Sequence, residues 1–214
     1  MSVHLHEFLA RVHEVLKPEV YLEIGVQYGT SLVLAEKANL AIGVDPVPLI
    51  GFTNNVRSNQ GLYTMTSDDW FEKFQILAVP INLGFIDGLH LFEQALKDFQ
   101  NMEQRMAPGG VIIIDDVLPY SQAIAEREQP PGDWTGDVWK LHPILRAYRP
   151  SLKIQLVDTA PTGTMVITNL DPTLQWPDRF DAAVAKWWGS DQVPDTVLER
   201  TWAVSPEQAL EELA

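Results

Sequence analysis

The sequence predicts an α/β protein built on a seven-stranded, mainly parallel sheet, and three observations predict it. Short apolar runs alternate with amphipathic stretches, as strands and helices do in βαβ units. Tyr21-Leu-Glu-Ile-Gly-Val-Gln-Tyr-Gly-Thr-Ser31, followed by Ala41-Ile-Gly-Val-Asp-Pro46, reads as strand, glycine turn, helix, and a second strand ending in an acid. The final two strands are joined only through Ala160-Pro-Thr-Gly163 and its short flanks. A parallel crossover needs about a dozen residues or more, so this pair closes as an antiparallel hairpin.

The elements follow in order. Residues 2–16 carry Leu5, Phe8, Leu9, Val12, Val15 and Leu16 at helical spacing, and Pro18 lies beyond their end. Val20 to Ile24 is the first strand, and Thr30 or Ser31 is placed to cap a helix running to about Ala38. Leu40 to Val44 is the second strand, and Pro46 to Gln60, rich in Pro, Gly, Asn and Ser, reads as loop or broken helix. Leu62 to Met65 is the third strand, and Thr66 or Ser67 opens a helix from Asp68 to Leu77. Ile81 to Ile86 is a strand ending at Asp87, and His90 to Met106 is a helix with Leu91, Ala95, Phe99 and Met102 on one face. Ala107-Pro-Gly-Gly110 turns into the strand Val111 to Ile114, which ends at Asp115-Asp116. A loop and short helix reach about Glu126, and Gln129-Pro-Pro-Gly-Asp-Trp-Thr-Gly136 reads as a mobile loop. Asp137 to Tyr148 is a helix, and Leu152 to Val157 and Thr164 to Thr168 are the last strands. Residues 1–171 form one domain, and 172–214, with Trp176, Trp187, Trp188 and Trp202, form its helical extension, a lid or a subunit contact.

Composition narrows the function. A length of 214 residues fits one domain with extra segments, and 46% hydrophobic content supports a real core. The formal charge of −14 opposes binding to nucleic acid or anionic membranes, both of which call for Lys and Arg. With no cysteine, disulfides, thiolate catalysis and zinc–thiolate sites are excluded. No signal segment or membrane-length apolar run is read, so a cytoplasmic protein acting on a small molecule is expected, with a homodimer possible.

The glycine turn narrows the ligand. Dinucleotide sites place glycines first, third and sixth in the turn. Here Gln27 and Thr30 occupy the third and sixth positions after Gly25, so NAD and FAD are disfavoured. In an open α/β sheet ligands sit at the carboxyl ends of the strands, where Gly25, Gly29, Asp45, Ser67 and Asp68 all fall. Gly25 and Gly29 allow close backbone approach, the helix start at Thr30-Ser31 offers free N–H groups, and Asp45 has a carboxylate suited to ribose hydroxyls.

A second constellation lies on later strand ends: Phe85-Ile-Asp-Gly-Leu-His90 and Ile112-Ile-Ile-Asp-Asp-Val117. If Asp87, Asp115 and Asp116 converge, their mutual repulsion calls for a divalent cation, and all-oxygen ligands favour Mg²⁺, with Mn²⁺ as a substitute. Helix capping is the simpler role for one or two of these acids. His90, three residues after Asp87, is placed to act as a general base, with capping as the alternative. His4, His6 and His13 are expected to be surface or packing residues.

The pattern Glu23-x-Gly25-x-x-x-Gly29 resembles the first motif of class I S-adenosylmethionine-dependent methyltransferases. Asp87-Gly-Leu-His90 with Asp115-Asp116 is similar to a metal-dependent subgroup, which includes O-methyltransferases of macrolide and aminocoumarin sugars and cephalosporin hydroxylase-like proteins. The resemblance covers about residues 20–170 and implies a Rossmann-like methyltransferase fold with one antiparallel strand. It implies that Glu23, Gly25, Gly29, Ser31, Asp45, Ser67, Asp68 and Asp87 surround S-adenosylmethionine. It further implies that Asp87, Asp115 and Asp116 hold Mg²⁺ and that His90 is the base. Asp137-Val-Trp-Lys140 resembles a segment of the same subgroup, which makes Asp137, Trp139 and Lys140 candidate substrate contacts beside Trp134, while capping, core packing and loop anchoring remain the alternatives. The expected reaction is Mg²⁺-assisted O-methylation of a vicinal diol, of a sugar first and a catechol second. A hydroxylase-like reaction and a non-catalytic cofactor-binding protein are the rivals.

Overall fold

The computed structural model describes residues 3–49, 58–174 and 177–214; the middle of the stretch read as loop or broken helix after Pro46, and Trp176, lie outside the described residues. Seven strands form one sheet in the order β3-β2-β1-β4-β5-β7-β6. They are β1 (Val20–Ile24), β2 (Leu40–Val44), β3 (Gln60–Tyr63), β4 (Ile81–Ile86), β5 (Met106–Ile114), β6 (Lys153–Val157) and β7 (Thr164–Thr168). The first five pair in parallel, while β7 runs antiparallel to both β5 and β6. The predicted α/β architecture and its terminal hairpin are therefore present.

Alternating strand residues feed two cores, as the pleat requires. Leu83, Phe85, Val111 and Ile113 pack with Phe8, Leu9 and Val12 of α1 (Leu5–Leu16) and with Leu210 of α7 (Pro206–Leu213). Leu22, Ile24, Ile112 and Ile114 face the opposite core. There they meet Trp70 of α2 (Ser67–Lys73), Phe99 of α3 (Phe92–Glu103) and Ile144 of α4 (Leu141–Tyr148). Helices α5 (Pro177–Trp187) and α6 (Asp195–Leu198) complete the chain. Among the described residues no helix is long and apolar enough to cross a membrane.

Several elements depart from the sequence reading: β3 lies at Gln60–Tyr63 instead of Leu62 to Met65, and the helix read from Asp137 opens as a 3₁₀ turn before α4. The helix expected after Gly29 is a single 3₁₀ turn, Leu32–Leu34. Leu32, Ala35 and Ala38 are buried at a spacing of three, which is the 3₁₀ repeat. Ser31, expected at the cap, makes no capping bond and turns its hydroxyl to Glu23 instead. A further departure is β5, which begins at Met106, so Ala107-Pro-Gly-Gly110 lies inside the strand across a register irregularity with β4.

β1 leads outward to β2 and β3, whereas β4 lies on its other side, so the crevice between β1 and β4 is the topological switch point. The strands are stitched there by Asp87 N–H on the Ile24 carbonyl (2.8 Å) and Gly25 N–H on the Val44 carbonyl (2.9 Å). Gly25 has φ +87°, and a side chain on it would collide with the Asp87 carbonyl, so glycine is required where the two strand ends meet.

Candidate functional site

A cavity of about 690 Å³ opens at this switch point. One wall includes Gly25, Ser31, Asp45, Ser67 and Asp68, and the other end reaches Asp87 and His90. Most of the strand-end residues singled out from sequence thus share one cavity.

At the glycine turn, Asp45 is the organising group. Its Oδ2 accepts from Val26 N–H (2.9 Å) and Gln27 N–H (2.8 Å), and its Oδ1 accepts from Val47 N–H (2.7 Å). A carboxylate has about four acceptor positions, so Asp45 keeps room for one further hydroxyl rather than the expected pair. Glu23 does not line the cavity. It is fully buried and accepts from the Tyr21 and Ser31 hydroxyls, each at 2.7 Å. Burial, only partly opposed by those two hydrogen bonds, pushes its carboxyl up to about 8, so Glu23 shapes the loop from beneath as a neutral acid. The dipole expected at Thr30-Ser31 is also missing, because a three-residue 3₁₀ turn builds none of consequence.

Ser67 and Asp68 lie at the wall as predicted, at the start of α2, whose cap is the Thr66 hydroxyl on Asp69 N–H. Two residues of α3 join them unannounced. Gln94 Nε2 donates to Ser67 Oγ (3.2 Å), Asp68 Oδ1 (3.3 Å) and Asp98 Oδ1 (3.2 Å). Burial pushes the Asp98 carboxyl up to about 7. The signal in the sequence was the i,i+4 spacing of Gln94 and Asp98 beside an apolar face. His6 was also missed: expected at the surface or in packing, it lines the cavity, with Nε2 3.1 Å from Thr30 Oγ1. His13 does pack, edge-on to Tyr21 at 4.7 Å.

At the far end the structure brings together Asp87, His90 and Asp116, whose ligating atoms lie within 4.8 Å of one another. His90 bridges the acids, with Nε2 3.5 Å from Asp87 Oδ1 and Nδ1 3.2 Å from Asp116 Oδ2. Nδ1 also donates to the Trp134 carbonyl at 2.7 Å. Burial alone would lower the His90 pKa; the hydrogen bond to Asp87 and the charges of Asp116 and Asp87 outweigh it and raise it to about 9. The acids on either side thus favour the protonated form of His90. Asp115 does not join the cluster. It follows the last residue of β5, its N–H donating to the Ile86 carbonyl (3.0 Å), and Asp116 after it is left-handed at φ +64°. Burial, then the charges of Asp116 and Asp87, push Asp115 well up, and its Oδ1 is buried without a hydrogen-bond partner.

A divalent cation fits this chemistry. Asp87 and Asp116 supply two carboxylate donors within reach of one ion, and the neighbouring Asp115 Oδ1 is buried without a hydrogen-bond partner.

The segment proposed for substrate contact takes another place. Asp137, Trp139 and Lys140 are buried, and neither they nor Trp134 lines the cavity. Asp137 does not cap its own 3₁₀ turn, Val138–Lys140, but accepts from Phe92 N–H at the start of α3 (2.9 Å). Its Oδ2 accepts from Lys140 Nζ (2.8 Å) and Arg127 (2.6 Å). Trp139 packs edge-on to Trp187, with ring centroids 6.2 Å apart. Trp134 stacks on the His90 ring at 4.9 Å and anchors its own loop by donating to the Glu126 carbonyl.

Residues 22–117 match a family model described as a methyltransferase domain. The chain is 30% identical over 136 residues to the uncharacterized protein R132 of Acanthamoeba polyphaga mimivirus, covering 56% of this chain and 61% of that protein. Less than two thirds of the viral protein is thus spanned. Among solved structures, cofactor-bound Rv0187 from MTB superposes with a TM-score of 0.62 at 17% identity, over 78% of this chain and 81% of that one. The O-methyltransferase TomG from Streptomyces achromogenes, in complex with SAM, gives 0.61 at 16% identity over 78% and 79%. An O-methyltransferase from Bacillus cereus in complex with SAH gives 0.59 at 17% identity over 78% and 80%. The fold is that of these methyltransferases.

Proposed function

We propose that this chain, with a methyltransferase domain match on a methyltransferase fold, is an S-adenosylmethionine-dependent O-methyltransferase assisted by Mg²⁺ or Mn²⁺. One observation carries the reading. A single cavity at the switch point joins a glycine turn fastened by Asp45 to a charged end at Asp87 and His90, with Asp116 behind them. The family match over residues 22–117 supports the methyl donor, and the neighbours named as O-methyltransferases support oxygen as the acceptor.

In this reading the chain's residues bind and orient. Gly25 admits the cofactor to the crevice, Asp45 accepts one ribose hydroxyl while holding the loop, and Ser67, Asp68 and Asp98 flank the adenine end. Bound S-adenosylmethionine supplies an already activated methyl group, so proximity and orientation provide most of the rate gain. Asp87 and Asp116 would hold the cation, with Asp115 adding charge beside them. Once those carboxylates are committed, the attraction that keeps His90 protonated is lost, and its imidazole can receive a hydroxyl proton. A cation held by so few protein ligands leaves positions for two adjacent substrate oxygens. A vicinal diol of a sugar is the first choice, on the likeness carried by Asp87-Gly-Leu-His90 and Asp115-Asp116, and a catechol is the second.

A second reading has its own observation. His90 already bridges Asp87 and Asp116, so an imidazolium could neutralise this end without a metal. One experiment separates them: S-adenosylhomocysteine binding by calorimetry, then methyl transfer to diol and catechol probes with and without EDTA. Binding followed by EDTA-sensitive turnover restored by Mg²⁺ is the expected result. Turnover indifferent to EDTA selects the imidazolium, and no cofactor binding removes both.

A further inference from the structure

We propose that residues 134–140 form a clamp that positions His90, with Asp137 as its principal positioning residue. The proposal rests on the reading of His90 as part of the reactive end of the cavity.

The clamp grips His90 and Phe92, at the approach to α3 and its first turn, through different atoms. The Trp134 carbonyl accepts from the His90 ring at Nδ1 (2.7 Å), and the Trp134 ring stacks on the imidazole with an interplanar angle of 26°. Gly136 lies against the His90 backbone at φ +52°, and any side chain there would collide with the His90 carbonyl. Asp137 Oδ1 takes the Phe92 N–H, a helix cap supplied from 45 residues away. The adjoining charges hold the same turn: Arg127 pairs with Glu93 (2.5 Å), and the Lys140 ammonium lies 4.8 Å from the centre of the Phe92 ring.

None of these residues lines the cavity, so they act on it through what they hold: His90 directly, and the first turn of α3. Their burial is costly. Lys140 is 0% exposed and Asp137 2%. A buried ion pair is rarely more stabilising than a well-packed apolar replacement. What the charges add is direction. Asp137 has Phe92 on one oxygen and two cations on the other, so the first turn of α3 has one place to lie. His90 is thereby fixed in ring angle and in which nitrogen carries the proton toward Trp134.

The test is NMR of the full chain with ¹⁵N-labelled histidine, read at the His90 ring, beside S-adenosylhomocysteine affinity and the melting temperature. Gly136→Ala and Asp137→Asn should displace the His90 ring resonances and lose a slowly exchanging Nδ1 proton. Cofactor-product affinity should stay within about twofold of wild type. Trp134→Ala, which keeps the carbonyl, should retain that proton. Should Asp137→Asn fail to fold, Arg127→Gln reads the same network from its exposed side. A folded Gly136→Ala variant whose His90 signals coincide with wild type would overturn the proposal. So would cofactor-product affinity falling in step with the His90 signal, which marks a general structural role. None of these readings needs methyl transfer, so an inactive wild-type chain with the His90 signature loses the function and keeps the clamp.

Discussion

The two ends of the cavity are built on opposite principles. At the glycine-turn end, where we propose the cofactor binds, the chain uses backbone: a glycine at positive φ and two loop N–H groups gathered by one carboxylate eighteen or nineteen residues away. At the reactive end it uses buried charge drawn from separate segments. Asp87, His90 and Asp116 come from two strand ends, and the residues that hold His90 come from a loop 44 residues on. The first end is made by local chain geometry and tolerates solvent. The second exists only when distant segments are packed, and its charges perturb one another strongly.

That contrast is breakable. The largest effect is expected from Asp87→Asn, which should lower turnover by roughly 10²–10⁴-fold, the range for losing a positioned acid–base or metal-ligating group. S-adenosylhomocysteine affinity measured alongside should change little; a parallel loss would mean that the two ends are one unit. Next is Asp45→Ala. Three backbone N–H groups lose their acceptor, and cofactor affinity should fall by about 10–100-fold, some 1.4–2.8 kcal/mol. Unchanged calorimetric affinity would remove Asp45 from the cofactor end.

The smallest effect sharpens the comparison from beneath. Glu23 has a folded pKa of about 8 against 4.5 for an ordinary glutamate. Between those values the unfolded chain has released this proton while the folded chain keeps it. Its contribution to stability therefore falls as pH rises through that window. Glu23→Gln removes the titration, so its melting temperature relative to wild type should climb from pH 5 to pH 8. A difference that stays flat with pH would show Glu23 ionised in the fold.

Legibility in the sequence followed the range of the cause. β1, β2 and β4 were read at their observed bounds because a buried parallel strand writes itself as an unbroken apolar run. The helix after Gly29 was misread because Ser31 is a good cap by composition, yet its hydroxyl is claimed by Glu23 across the turn. Asp137 was read as capping the helix that follows it, and it caps one that precedes it instead. Lys140 suggested a substrate contact because Asp137-Val-Trp-Lys140 resembles a segment of a methyltransferase subgroup, and only the packed partners show that it is buried against Asp137 and Phe92.

The sequence by itself determined the strands, the terminal hairpin and the residues at the strand ends, since strand periodicity and glycine spacing are local properties of the chain. The tertiary structure alone decided which acids meet, that His90 lies between two of them, and that Asp137 serves another helix. Those outcomes depend on distances across the fold and on burial, which set charge state, and neither is written in the order of the residues.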